Sequence, residues 1–117
     1  MRRDDAYLED IQSACVRVAR YIDGVTRADF VYDEKTRAAV EREITIIGEA
    51  SVKVTDACKA VHDHVPWRKL IRLRNFYMHA YEKLSSDEIW ATATRLIPSV
   101  GSLISGILDD REKSDES

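Results

Sequence analysis

Glycine and proline supply six of the 117 residues, four Gly and two Pro. An average chain carries roughly twice that share, about 12 %. Hairpins and tight turns depend on those residues, which argues strongly against a β-sandwich or barrel. The chain must be built from elements that need few turns. Leu8, Ile11, Cys15, Val18 and Ile22 recur three and four apart, the period of one helix face.

That period carries through the chain. The first helix is expected over residues 5–21, with Asp4 and Asp5 at its N-terminus and Gly24 as its left-handed stop. Thr26 and Asp29 start a short helical turn that ends at Phe30 or Val31. Asp33 caps a second helix whose stripe is Val40, Ile44, Ile47, Ser51, Val54, Cys58 and Val61, read as one helix of about six turns. Gly48 lies inside it, at a cost of about 1 kcal/mol relative to Ala, and offers a place where another backbone can approach. His62-Asp63-His64 reads as a loop, and Pro66 opens a third helix over 66–81. Ser85 and Glu88 form a capping box for a fourth, with the stripe Ile89, Ala93, Leu96, Val100, Ile104 and Ile107. Pro98 falls within that helix and is expected to kink or split it. The expected fold is all-α, an up-down four-helix bundle in one domain over 1–108, followed by an acidic, disordered tail at 109–117. The apolar stripes are wide enough to predict a homodimer.

Charge narrows the function. The net charge is −3, and the last nine residues account for all of it. Between Pro66 and Lys83, five basic residues (Arg68, Lys69, Arg72, Arg74 and Lys83) face a single acid, Glu82. A neutral body with one basic segment meets a phosphate backbone locally; a solvated helix face would carry the same charges. Apolar runs are about three residues long, so no membrane span is expected, and no apolar leader follows Met1. Cys15 and Cys58 lie on apolar stripes, which suits buried, reduced thiols in a cytoplasmic protein. His62 and His64 with Asp63 do not make a metal set, so neither a metal nor a cofactor is expected. Trp67 and Trp90 read as core anchors, and Tyr7, Tyr21 and Tyr32 as packing residues.

Chemistry concentrates in the third helix. Arg72, Asn75 and His79 share one polar stripe, and Arg74 and Tyr81 share another. Arg74 and His79 are five apart, about 140° around an ideal helix. They converge on one atom only if the helix unwinds near its end or if two copies of it face each other. A two-copy cleft with two Arg and two His suits metal-free RNA cleavage. A neutral imidazole takes the proton of an attacking 2′-hydroxyl, and a guanidinium stabilises the charge that builds on phosphorus. DNA lacks that hydroxyl. Asn75 would orient the imidazole or hold a phosphate oxygen.

Arg74-Asn75-x-x-x-His79-x-Tyr81 resembles the Arg-x4-His-x-Tyr signature of HepT toxins in the HEPN superfamily. The stretches Arg3-Asp4-Asp5-Ala6-Tyr7-Leu8, Ile46-Ile47-Gly48-Glu49-Ala50, Val65-Pro66-Trp67-Arg68, and Ile89-Trp90 with Leu96-Ile97-Pro98 resemble further motifs of that family, in order. The resemblance implies a homodimer with the signatures meeting in a shared cleft, acting as a metal-independent ribonuclease toxin. His79 would be the base and Arg74 the phosphate clamp, with Asn75 beside them and Arg68, Lys69, Arg72 and Lys83 touching RNA. It further implies an antitoxin partner, a minimal nucleotidyltransferase that transfers AMP from ATP to Tyr81. Arg72 stands where the family commonly has glycine, and Tyr77 where an aliphatic residue is usual. The alternative is a non-catalytic subunit that docks such a transferase.

Overall fold

The structure, a computed structural model, describes residues 3–79 and 85–116. Among the described residues seven α-helices follow one another: α1 (Arg3–Ile22), α2 (Arg27–Tyr32), α3 (Glu34–Lys53), α4 (Asp56–Val61), α5 (Trp67–His79), α6 (Ser86–Ala91) and α7 (Ile97–Glu116). A π-helical segment, Thr92–Leu96, joins α6 to α7. The described residues contain no strand.

The helix ends follow their caps. Gly24 has φ +73°, the left-handed conformation that a side chain rarely adopts, and it closes α1. Thr26 Oγ1 accepts from the Asp29 N–H at 3.1 Å, and Asp33 Oδ1 accepts from the Thr36 N–H at 3.0 Å. Ser85 Oγ accepts from the Glu88 N–H at 3.2 Å and donates to the Glu88 carboxylate at 3.1 Å, so the predicted Ser85 cap forms, with Glu88 held by the Ser85 hydroxyl.

The long stripe from Val40 to Val61 is not one helix. Thr55 interrupts it as an N-cap, accepting from the Cys58 N–H at 3.2 Å, and the chain restarts as α4. The Thr55 N–H and hydroxyl in turn donate to Asp4 at 2.9 and 2.7 Å, which pins this junction to the start of α1. Asp4 therefore serves another helix's cap. Val61, past the break, is 73 % exposed.

Pro98 does not split the last helix either. The widened turn of Thr92–Leu96 lies just before it and lets the chain pass from α6 into α7 without a gap in helicity. Nor does the helix stop before the acidic tail, because α7 continues to Glu116. Arg111 pairs with Asp5 of α1 and donates to Cys58 Sγ at 3.3 Å, which ties down the segment expected to be loose. The run Ser86–Ser114 is long and apolar enough to cross a membrane by length and composition alone. Its Ile89, Ala93, Ile97, Val100, Ile104 and Ile107 are buried in the core, at helical spacing.

The core joins Leu8, Ile11 and Val18 of α1, Phe30 of α2, Val40, Ile44 and Ile47 of α3, Leu70 of α5, and the apolar face of α6 and α7. α3 packs on α1 along one side and on α5 along the other, and α7 packs on the far side of α1. This makes a row, α5–α3–α1–α7, in which α5 and α7 share little contact, where a closed up-down bundle would join them. The radius of gyration, 14.7 Å, exceeds the value of about 13.4 Å for a compact domain of this length. Cys15 and Cys58 are buried free thiols, and burial pushes the Cys15 thiol up to about 12. Trp67 is buried, with Nε1 donating to the His62 carbonyl at 3.0 Å, and Trp90 packs on Phe30 with ring centroids 5.1 Å apart. Tyr7 and Tyr21 pack against the core, but Tyr32 is 88 % exposed and is not a packing residue.

The α3–α5 crossing is set at Gly48. A Cβ there would lie 2.2 Å from Arg74 Cβ and 2.8 Å from the Leu70 carbonyl oxygen. Both neighbours belong to packed helix, so neither can retreat cheaply. Gly48→Ala is expected to push α5 off α3 and lower stability by about 1–3 kcal/mol in thermal or urea unfolding. An unchanged midpoint would contradict the tight crossing.

Candidate active site

Helical period sorts α5 into two faces. Trp67 and Leu70 are buried, with Leu73 and Tyr77 partly buried against the core. Arg68, Lys69, Arg72, Asn75 and His79 are exposed on the other side. Arg68, Lys69 and Arg72 have no ion-pair partner among the described residues. The basic segment thus faces outward, as a surface for a polyanion requires.

Arg74 sits at the edge between these faces, and a carboxylate oxygen and an amide oxygen hold its guanidinium. Nε donates to Glu49 Oε1 at 2.9 Å, and Nη1 donates to Asn75 Oδ1 at 2.7 Å. The Arg74 side chain is 22 % exposed and that of Glu49 38 %. The ion pair is reachable from solvent and of modest energetic weight. Its value is directional, since a guanidinium has five N–H donors in a fixed plane and these two contacts fix the plane. Asn75 therefore bonds the arginine, where the sequence pointed to the imidazole or a phosphate oxygen as its partner.

His79 ends the described part of α5, and the helix stays α-helical up to it. Of the two ways to bring Arg74 and His79 together, unwinding within residues 67–79 is not realised. Within one protomer the two side chains leave the helix about 140° apart. Tyr81 and Lys83 lie outside the described residues. Tyr77 is the one described residue whose buried side-chain polar atom has no hydrogen-bond partner. Burial, with Glu41 and Glu88 nearby, raises its phenol above the usual range. His62 and His64 have ring centroids 6.0 Å apart, and no group of three or more metal-binding side chains occurs among the described residues.

The model of the HepT-like ribonuclease family matches residues 11–107. The chain belongs to the HepT-like ribonuclease family. A relative from Thermococcus cleftensis, "Probable ribonuclease HepT", is 37 % identical over 94 residues, covering 80 % of this chain and 86 % of its own. A protein of Caldanaerobacter subterraneus subsp. tengcongensis, provisionally named an RNase, is 30 % identical over 108 residues, 92 % of this chain and 96 % of its own. A third relative, from Methanocaldococcus jannaschii and likewise provisionally named an RNase, is 30 % identical over 111 residues, 95 % of this chain and 92 % of its own. No solved structure matches the chain with significance.

In this HepT-like chain, then, α5 carries Arg74, Asn75 and His79 in the spacing read from the sequence, and the basic residues Arg68, Lys69 and Arg72 share its exposed side. The residue that sequence reading passed over is Glu49. It stands in the stretch Ile46–Ala50, yet nothing in a helical period distinguishes it from any solvated glutamate. Only its position beside Gly48, where α3 and α5 touch, could have pointed to Arg74.

Proposed function

We propose that this chain is a metal-independent endoribonuclease whose active cleft is shared by two copies of α5. Arg74 holds the scissile phosphate, and His79 takes the 2′-hydroxyl proton. The 2′-oxygen then attacks phosphorus, the bond to the 5′-oxygen breaks, and that oxygen leaves with a proton. The products are a 2′,3′-cyclic phosphate and a 5′-hydroxyl. The observation that supports this reading most is the Arg74 fork, oriented by Glu49 and Asn75 on a helix whose outward face is basic. The second copy is supported by the 140° divergence of Arg74 and His79 and by the outer face of α5 at the end of the row, where Met78 is 49 % exposed.

The chain then acts as a cytoplasmic toxin. Its antitoxin, a minimal nucleotidyltransferase, transfers AMP from ATP to Tyr81, releasing pyrophosphate. An adenylate two residues beyond His79 adds a negatively charged phosphodiester and bulk, which compete with RNA for the cleft. Intact mass of the chain expressed with that transferase tests the pairing. One or more added AMP masses, absent in Tyr81→Phe, are expected together with loss of RNA cleavage. Co-purification with no added mass, from a chain that does not cleave RNA alone, would instead make it a docking subunit.

A further inference from the structure

We infer that Glu49 is a positioning residue for RNA cleavage, acting through Arg74. The inference rests on the reading of Arg74 as the phosphate clamp. A carboxylate beside that arginine can act in two opposed ways. It can compete with the phosphate, in which case the two would exchange on binding. It can also splint the guanidinium, leaving other donors for the substrate.

The geometry favours the splint. Glu49 takes the Nε donor through Oε1 at 2.9 Å, and Asn75 takes one Nη1 donor at 2.7 Å. Both donors of Nη2 are without a partner among the described residues. One edge of the plane is anchored to α3 and one corner to α5, with the remaining corner left for a phosphate oxygen. The anchor is itself rigid. Glu49 directly follows Gly48, where the α3 backbone meets Arg74 Cβ, so the carboxylate starts from the point of tightest contact between the two helices. An arginine side chain carries much rotamer freedom. Holding it in place before RNA arrives removes that loss from the transition state.

The two roles predict different kinetics. Removing a splint slows the chemical step. It also strips a negative charge from the cleft, so RNA binding is unchanged or tighter. Removing a competitor tightens binding without slowing cleavage. The probe is a single-stranded oligoribonucleotide of mixed sequence, cleaved by the full chain under single-turnover conditions. Glu49→Ala is expected to lower the saturating rate by about tenfold to a hundredfold with no rise in KM. Glu49→Gln keeps an oxygen for Nε and is expected to recover to within about threefold of the unsubstituted chain. Added to Arg74→Ala, Glu49→Ala is expected to cause no further loss. Glu49→Ala that cleaves as fast as the unsubstituted chain overturns the inference, as does Glu49→Gln that is as slow as Glu49→Ala. Either result with Arg74→Ala inactive leaves the clamp intact and removes only the splint. Full cleavage by Arg74→Ala would remove the clamp itself.

Discussion

Arg74→Ala is expected to lower RNA cleavage by about 10²–10³-fold, the loss seen when one fixed donor to a developing oxyanion is removed. His79→Ala is expected to cost about 10²–10⁴-fold through loss of the proposed general base. Both residues are solvent-accessible to some degree, and neither belongs to the buried core, so the fold survives both changes. In cells lacking an antitoxin, each substitution is expected to relieve growth arrest. The proposed reaction uses a 2′-hydroxyl and no metal, so an all-deoxy oligonucleotide is expected to stay intact and excess EDTA to leave cleavage unchanged. Unchanged toxicity and cleavage in both variants would contradict the mechanism.

Arg17→Ala is expected to be the most damaging substitution for the fold. Glu43 of α3 is 1 % exposed, and Arg17 Nε donates to both of its carboxylate oxygens at 2.9 Å. The Tyr21 hydroxyl donates to the same carboxylate at a longer 3.4 Å. Removing the guanidinium strands a buried charge with one weak neutral donor, a loss of about 3–5 kcal/mol. For a domain of this size that lowers Tm by roughly 10–20 °C. Glu43→Gln is expected to cost less, because Arg17 has a side chain 33 % exposed and water can reach it. Equal losses from the two substitutions, or less than about 1 kcal/mol from Arg17→Ala, would contradict this account. The pair joins α1 to α3 and includes no residue of α5, so residual folded protein is expected to cleave normally.

Local signals in the sequence were legible where the physics is local. The caps at Thr26, Asp33 and Ser85, the stop at Gly24 and the apolar stripes of α1 and α3 each depend on neighbours a few residues away. The helix break at Thr55 was less visible because Val54 and Cys58 keep the apolar period running through it. Thr55 caps α4 locally, and its bonds to Asp4, a contact spanning 51 residues, hold the break in place. The end of α7 misled for the same reason, since Arg111 finds Asp5 and Cys58 only in the folded chain.

The site divides along the same line. The spacing of Arg74, Asn75 and His79 is a property of one helix and stands in the sequence. Glu49 and Gly48 gain their meaning from the crossing of α3 and α5, and so does the orientation of Arg74. Gly48 did signal that crossing, because a glycine inside a helical stripe asks for a close neighbour.

The central claim is that one working site draws on two copies of the chain. Mixing Arg74→Ala with His79→Ala under conditions that exchange subunits tests it most directly. A cleft in which the arginine of one copy serves with the histidine of the other is expected to regain cleavage in the mixed dimer, where one of the two pairings keeps both residues. Mixed dimers as inactive as either parent, or full cleavage by a chain that stays monomeric at working concentration, would contradict the claim.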